Sequence, residues 1–213
     1  MKIAFKYIGL ATLLLLLLSA SAFVAPPKTV HDFTVQDIVG NDVSLSKYKG
    51  KTLLIVNVAS KCGLTPQYED LQKIYAEYQE FDLEILGFPA NNFMGQEPGS
   101  DEQINSFCAD KFGVTFPMFS KISVKGKQIH PLYSYLTDKK QNKTIKAPVK
   151  WNFQKFLVDK DGKVVKSFTP NERVTNTTIL AQIEAELTKG KDGKKIKEAI
   201  AAAKKSRATT SAE

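Results

Sequence analysis

Cys62 and Cys108 are the side chains of this sequence best suited to chemistry, and they are its only cysteines. Two cysteines are too few for a disulfide scaffold, so a redox role is the more natural interpretation. Cys62 lies between a nearly continuous apolar run at residues 52–58 and the pair Thr65-Pro66, which is a typical helix start. The unpaired N–H groups of a helix N-terminus favour a thiolate over a thiol. The sequence therefore predicts a reactive thiol at Cys62, with a buried inert cysteine as the alternative.

The elements that must position Cys62 follow from the spacing of apolar residues and from turn signals. We predict strands at residues 31–36, 43–45, 52–58 and 83–88, helices at 66–78 and 101–111 (after Ser100), strands at 153–158 and 163–168, and a last helix at 177–187. The order β-α-β-α-β-β-α after an N-terminal β-hairpin is typical of an α/β thioredoxin-like fold, in which a central mixed sheet is flanked by helices. Cys62 then lies at the carboxyl edge of that sheet, where open α/β sheets form their sites.

The N-terminal segment predicts export. Two lysines precede an apolar run at residues 7–18, and small residues follow at 19–22. This order is typical of a secretory signal peptide covering residues 1–22. An uncleaved anchor is the alternative, but the run is shorter than the ~20 apolar residues that a bilayer-spanning helix needs. The thioredoxin-like domain is expected to occupy residues 23–188.

The destination of an exported chain stays open at this point. A signal peptide is compatible with a bacterial periplasm, a lumen of the secretory pathway or the extracellular space. The junction between Ala20 and Phe23 also resembles that of proteins sent through the secretory route into the plastids of some algae. A plastid of a secondary-plastid alga is therefore the alternative localisation.

The formal charge of +8 is concentrated at the ends of the chain. In residues 189–213, seven lysines and Arg207 stand against Asp192, Glu198 and Glu213, a net charge of +5. This basic tail lacks aromatic residues and is predicted to be disordered, with a frayed helix as the alternative. We expect at most a weak contact of the tail with an anionic membrane surface, and we expect no nucleic-acid partner.

Four segments carry motifs that can be compared with known enzymes. They are residues 50–65, residues 86–89 (Leu-Gly-Phe-Pro), residues 95–99 (Gly-Gln-Glu-Pro-Gly) and residues 149–158. In this order they resemble the motifs of the glutathione peroxidase family in its cysteine form, and the resemblance covers residues 30–187. The sequence departs from the family's pattern at Ala90 and Asn92, where many relatives have cysteine and glutamine. The resemblance implies an antioxidant peroxidase that reduces hydrogen peroxide and organic or lipid hydroperoxides in the response to oxidative stress.

The resemblance also implies a catalytic site made of Cys62, Gln96, Trp151 and Asn152. The thiolate would attack the peroxide O–O bond. The amide and indole N–H groups of the other three would stabilise the thiolate and then the charge that develops on oxygen. Each donor has a plain structural alternative: Gln96 as a loop residue, Trp151 as a packing residue and Asn152 as a strand-end residue.

The resemblance gives Cys108 the role of a resolving thiol. Residues 107–117 are similar to the family branch in which a second cysteine forms a disulfide with the oxidised one and a thioredoxin-like protein supplies the electrons. Cys108 would then reset a sulfenic acid at Cys62, and glutathione is the alternative donor. We expect the two sulfurs to be too far apart in the reduced fold, so the helix at residues 101–111 would have to open. The alternative is that Cys108 is only a core residue.

Two rival functions would use the same thiols. A peroxide sensor that relays its disulfide to a partner protein needs both Cys62 and Cys108, so the sequence leaves it open. A general disulfide oxidoreductase is disfavoured, because no Cys-x-x-Cys motif is present.

The family's tetrameric members carry an extra loop before the Trp-Asn motif, and residues 121–150 are too short for it, so we expect a monomer.

We expect no cofactor and no metal ion. The two histidines, His31 and His130, are far apart in the sequence and lack the spacing of metal ligands. The sequence also contains no phosphate-binding loop and no dinucleotide-binding fingerprint.

Overall fold

The computed structural model describes residues 29–210, and these begin with a short antiparallel hairpin. Its strands are β1 (Thr34–Gln36) and β2 (Asp42–Ser44). The strand predicted at residues 31–36 is wrong over its first residues, because Val30–Asp32 form a 3₁₀ turn. The Asp32 carboxylate stabilises this turn by accepting a hydrogen bond from the Thr29 backbone N–H at 3.0 Å, so the strand starts only after the turn.

A four-stranded mixed sheet lies at the centre of the fold. Its strands are β3 (Thr52–Val58), β4 (Leu83–Pro89), β5 (Lys155–Val158) and β6 (Val164–Phe168), in the spatial order β4-β3-β5-β6. β3 pairs parallel with β4 and antiparallel with β5, and β5 pairs antiparallel with β6. Every residue of β3 and β4 is buried, as expected for strands that are covered on both faces.

The α-helices of the described residues cover this sheet. They are α1 (Gln67–Tyr78), α2 (Asp101–Phe112), α3 (Pro131–Thr137), α4 (Lys139–Asn142), α5 (Thr177–Leu187) and α6 (Gly193–Thr210). The short helices α3 and α4 were not predicted. The start of α3 has a proline at its first position and an N-cap in His130, whose Nδ1 accepts a hydrogen bond from the Leu132 N–H at 3.2 Å.

The side chains of β3 alternate between two apolar cores. Leu54, Val56 and Val58 pack in one cluster with residues of α1, α2 and α5, whereas Leu53 and Ile55 pack in a second cluster with residues of α3. This alternation follows from the two-residue period of a strand. Cys62 and Cys108 both belong to the first cluster, so the fold places the two thiols on the same side of the sheet.

The helix α2, which carries Cys108, is closed at both ends by its own neighbours. At its start, Ser100 Oγ accepts from the Gln103 N–H, and the Gln103 side chain accepts from the Ser100 N–H at 3.0 Å. At its end, Gly113 adopts a left-handed conformation with φ +60° and donates its N–H to Ala109 O at 2.9 Å. The prediction of a helix that starts after Ser100 is confirmed, and the helix runs one residue further than predicted.

Residues 193–210 of the basic tail form the helix α6, which corrects the prediction of disorder for this part and agrees with the helix alternative. Ile200 is buried and Ile196 packs beside it against the first core cluster. Lys204 Nζ lies 2.5 Å from Glu184 Oε1 of α5. The two isoleucines, spaced four residues apart on one face, give the helix an apolar stripe that docks on α5. The predicted signal peptide at residues 1–22 lies outside the described residues, and within residues 29–210 no helix has the length and apolarity to span a bilayer.

Candidate active site

Cys62 lies in the turn that connects β3 to α1. Only 9% of its surface is exposed. The side chain of Thr65 closes this turn, because its Oγ1 accepts from the Cys62 N–H at 3.0 Å and donates to Ala59 O at 2.9 Å. The N-cap position of α1 is occupied by Pro66, so the helix predicted to start at Pro66 with Thr65 before it begins one residue later. Thr65 holds the cysteine turn instead.

The sulfur of Cys62 faces a backbone donor. The Leu64 N–H donates to Cys62 Sγ, with 3.4 Å between nitrogen and sulfur. A hydrogen bond to sulfur favours the thiolate, because the negative charge makes sulfur a better acceptor. The turn therefore provides one fixed stabilising contact for the reactive form of the thiol.

Gln96 and Asn152 form a hydrogen-bonded pair beside this turn. Asn152 Nδ2 donates to Gln96 Oε1 at 2.9 Å, and Asn152 is fully buried. The backbone oxygen of Gln96 accepts a hydrogen bond from the Lys61 N–H at 3.0 Å, which attaches Gln96 to the residue next to Cys62. The hydrogen bond from Asn152 uses the side-chain oxygen of Gln96 as the acceptor, and the Nε2 group is the donor that the amide can offer to a ligand.

The backbone at Trp151 is held by Asn57 of β3. Asn57 Nδ2 donates to Trp151 O at 3.1 Å, and the Phe153 N–H donates to Asn57 O at 2.6 Å. The Trp151 ring packs on Phe93, with 5.2 Å between ring centroids. Asn57 was not predicted as a site residue. Its signal was available, since it is a polar residue inside an otherwise apolar strand, where an amide needs a buried partner.

Cys108 lies on the inner face of α2 and is 1% exposed. Burial raises the pKa of its thiol to about 11, and the charge of Glu97 adds to this shift. The Tyr68 hydroxyl of α1 approaches the thiol and lowers its pKa, which offsets part of this increase. Both cysteines are free thiols. Because its pKa is raised to about 11, the Cys108 thiol is protonated at neutral pH.

A cavity of about 420 Å³ separates the cysteine turn from α2. Ser60 and Lys61 line it on the side of the turn, and Ile104 and Phe107 line it on the side of α2. Glu97 also lines the cavity and is fully buried. Glu97 was predicted only as part of the Gly-Gln-Glu-Pro-Gly motif, because the burial of a carboxyl depends on the elements packed around it and cannot be read from a motif.

A buried lysine fixes the first turn of α1. Lys155 Nζ donates to Gln67 Oε1 at 2.5 Å and to the backbone oxygens of Pro170 and Glu172 at 3.1 and 2.7 Å. Burial lowers the pKa of Lys155 to about 7. Arg173 adds an ion pair with Asp70 on the same turn of α1. These contacts attach the helix that follows Cys62 to the loop between β6 and α5.

The sequence that forms this site matches a known protein family. A family model described as "Glutathione peroxidase" matches residues 30–137 of the 213. The chain belongs to the glutathione peroxidase family. Cys62, Gln96 and Cys108 lie within the matched residues, whereas Trp151 and Asn152 follow them. The predicted family and enzyme class, a thiol peroxidase that reduces hydroperoxides, are thereby confirmed.

Individual members of the glutathione peroxidase family are similar over most of the chain. The Arabidopsis thaliana protein named "Probable glutathione peroxidase 2" is 55% identical over 145 residues, which are 68% of this chain and 85% of that protein. A Mesembryanthemum crystallinum protein named "Probable phospholipid hydroperoxide glutathione peroxidase" is 50% identical over 171 residues, 80% of this chain and 96% of that protein.

Solved structures confirm the predicted fold for this glutathione peroxidase family member. The crystal structure of Trgpx in apo form is 38% identical, with a TM-score of 0.60, and covers 76% of this chain and 96% of that chain. A thioredoxin family protein from Chlorobium tepidum TLS shares the fold at 14% identity, with a TM-score of 0.54 and coverage of 77% and 99%. The thioredoxin-like α/β fold with a central mixed sheet is thus common to both groups.

Proposed function

We propose that this peroxidase attacks hydroperoxides with Cys62, assisted by Gln96, Trp151 and Asn152, and that Cys108 resolves the oxidised thiol. The observation that carries the proposal is the cysteine turn itself. It presents Cys62 Sγ to a backbone N–H at 3.4 Å. Its Lys61 N–H donates to the backbone oxygen of Gln96, whose side chain pairs with Asn152. Neutral donors around a thiolate can stabilise the oxyanion that leaves when the O–O bond breaks.

The resolving role of Cys108 is supported by its place in the same core cluster as Cys62. The Cys108 thiol is buried on the inner face of α2, so a disulfide with Cys62 requires that helix to open. α2 is suited to this, because only Ile104 and Cys108 of its twelve residues are buried. A buried thiol that is released only by oxidation is protected from competing reactions.

A thioredoxin-type protein is the donor that we favour over glutathione. A disulfide inside the chain is the natural substrate of a dithiol protein, which reduces it by thiol–disulfide exchange. Family membership implies a glutathione or thioredoxin-type reductant, and the presence of Cys108 favours the second. The relay of a disulfide to a single partner protein is the outcome that would replace this function.

Replacing Cys108 with serine is expected to abolish turnover with a thioredoxin system and to trap sulfenic acid at Cys62 after one equivalent of peroxide. The reason is that serine cannot form the disulfide that the donor reduces. The measurement is steady-state peroxide consumption with a thioredoxin system and with glutathione, together with dimedone labelling of the trapped acid.

Glutathione-dependent turnover that survives in Cys108→Ser would contradict the resolving role and leave Cys108 as a core residue. A wild-type protein that turns over with neither donor, but keeps a stable mixed disulfide with one partner protein, would replace the peroxidase cycle with the relay.

Lipid hydroperoxides are the substrate class that we propose beyond hydrogen peroxide. The 50% identical relative from Mesembryanthemum crystallinum is named for phospholipid hydroperoxide. The residues before the Trp-Asn motif form the short helices α3 and α4 and leave no long insertion. In a monomer, the exposed neighbours of Cys62, Lys61 and Gly63, would give a bulky substrate room to approach the turn.

The basic helix α6 is proposed to bring the enzyme to an anionic lipid surface. Exposed lysines of α6 lie at positions 194, 195, 197 and 205, and Lys191 just before the helix is also exposed, while the apolar stripe of the helix faces the protein. Lysines near an anionic membrane contribute about 1 kcal/mol each at physiological ionic strength. A surface contact of this kind needs no membrane-spanning segment.

Sedimentation with vesicles tests this contact. We expect the protein to bind phosphatidylserine-containing vesicles at low salt and to release them as salt screens the charges. Changing Lys194, Lys195 and Lys197 to glutamine should reduce the free energy of vesicle binding by about 1 kcal/mol for each lysine lost. Lysines 139, 140 and 143 near α4 provide the matched control, since the same change there should have no effect. Equal binding to neutral phosphatidylcholine vesicles would contradict the proposal.

Export through the secretory route is proposed for the cellular location, on the basis of the pattern of residues 1–22 alone. The periplasm, a lumen or the extracellular space would each supply an environment in which a thiol peroxidase meets hydroperoxides. Import into a secondary plastid is the alternative, and fusion of residues 1–30 to a reporter would distinguish the two.

A further inference from the structure

Glu97 is a fully buried carboxyl that the peroxide-cleavage chemistry does not use. Ser60 Oγ donates to its Oε2 at 3.2 Å, whereas its Oε1 is buried and makes no hydrogen bond within residues 29–210. Burial of a carboxyl with one oxygen unsatisfied is costly. The cost indicates a role other than packing.

The position of Glu97 is between the two cysteine-bearing segments. It lines the cavity that has Ser60 and Lys61 on the side of the peroxidatic turn and Ile104 and Phe107 on the side of α2. The charge of Glu97 acts on the Cys108 thiol and raises its pKa. The carboxyl therefore borders the cavity between the turn that carries Cys62 and the helix that carries Cys108.

The surroundings of Glu97 allow its protonation to change. Burial raises the pKa of the carboxyl, while Ser60, Lys121 and Lys61 lower it, with burial the largest influence. Lys121 Nζ donates to the backbone oxygen of Glu97 at 3.2 Å and so is engaged by the main chain rather than by the carboxylate. The charge of Glu97 also acts on Tyr68 of α1 and on Cys108 of α2, and raises the pKa of both. No ion pair within residues 29–210 fixes Glu97 in its ionised form.

We propose that Glu97 accepts the proton of the Cys108 thiol in the step that forms the Cys62–Cys108 disulfide, an inference that rests on the resolving role proposed above for Cys108. The step needs such a group. With a pKa of about 11, roughly one Cys108 thiol in 10⁴ is ionised at pH 7, and the thiolate is the nucleophile.

Glu97 first accepts a proton in this step and then returns it, so the step is balanced. The Glu97 carboxylate removes the S–H proton of Cys108, and the resulting thiolate attacks the sulfur of the Cys62 sulfenic acid. The S–S bond forms as the S–O bond breaks, and the electron pair leaves with oxygen as hydroxide. Glu97 returns the proton to this hydroxide, which gives water and restores the carboxylate. Cys108 is oxidised and the sulfenic sulfur of Cys62 is reduced.

Single-turnover kinetics on the full chain test this role. One equivalent of hydrogen peroxide is mixed with wild-type protein, Glu97→Gln, Glu97→Asp and Cys108→Ser, and sulfenic acid and disulfide are quantified separately after quenching. In Glu97→Gln we expect sulfenic acid to form as in the wild type and disulfide formation to slow about 10²-fold, the loss typical of a missing general base. Glu97→Asp, which keeps a carboxylate, should restore part of the rate.

The pH profile distinguishes proton transfer from a structural effect. The wild-type rate of disulfide formation should fall as the pH drops through the pKa of Glu97, because the protonated carboxyl cannot accept a proton. Glu97→Gln should lose that limb of the profile. Disulfide formation at the wild-type rate in Glu97→Gln, or a slower rate with an unchanged pH profile, would overturn the proposal. If the wild type itself forms no disulfide while Cys62 is oxidised, the resolving role of Cys108 fails, and the role of Glu97 fails with it.

Discussion

Replacing Cys62 with serine is expected to abolish peroxide reduction while leaving the fold intact. The serine hydroxyl cannot be oxidised by peroxide and is hardly ionised at neutral pH. Loss of a covalent nucleophile typically costs at least about 10⁴-fold in rate. The substitution removes no packing group of consequence, since the two side chains are nearly the same size. The measurement is steady-state peroxide consumption with a thioredoxin system, with thermal unfolding to show that the fold persists.

The matched control for this result is Cys108→Ser, which changes the other cysteine in the same core cluster. It should still consume one equivalent of peroxide, whereas Cys62→Ser should consume none. The assignment of the nucleophile would be wrong if Cys62→Ser kept peroxide reduction and lost it on alkylation of Cys108.

Gln96→Ala is expected to lower kcat/KM for the peroxide by about 10²-fold, which corresponds to a loss of roughly 3 kcal/mol of transition-state stabilisation. The removed group is the Nε2 donor, which the hydrogen bond from Asn152 Nδ2 to Gln96 Oε1 leaves free. Asn152→Ala should show a similar loss, because it releases the Gln96 amide from that orientation. The double variant should lose less than the sum of the two effects, since residues that act as a unit are not additive.

Gln182→Ala is the matched control for this cycle. Gln182 is a glutamine on α5 whose side chain donates to Thr178 O of the same helix, and its removal should leave kcat/KM unchanged. Full additivity of Gln96→Ala and Asn152→Ala would show that the two amides act separately. An unchanged kcat/KM in both single variants would remove them from the catalytic site.

The sequence was sufficient where local pattern and tertiary structure agree. The apolar run of β3 and the capped start of α2 were predicted at the observed residues, because burial on both faces and a capping box leave plain marks in a sequence. The tail was not predictable in this way. Its lysines suggest a solvated chain, whereas the docking of Ile196 and Ile200 and the ion pair between Lys204 and Glu184 stabilise it as a helix.

The site shows the same division between pattern and contact. The motifs were enough to nominate Cys62, Gln96, Trp151 and Asn152, but these remain predictions about function. The hydrogen bond between Asn152 and Gln96 joins residues that are 56 positions apart, and no motif states such a contact. The burial of Glu97 was likewise inaccessible, because it depends on the walls that the cysteine turn and α2 build around it.

The local closure of α2 has a consequence for the reduction potential of the protein. Its Ser100 capping box and its Gly113 C-cap stabilise the helix in the dithiol form. If the disulfide forms only when these contacts open, the free energy of closing α2 favours reduction. For a two-electron couple, each 1.4 kcal/mol of that free energy raises the potential by about 30 mV. Helix caps that never touch sulfur would thus set which electron donors can reduce the enzyme.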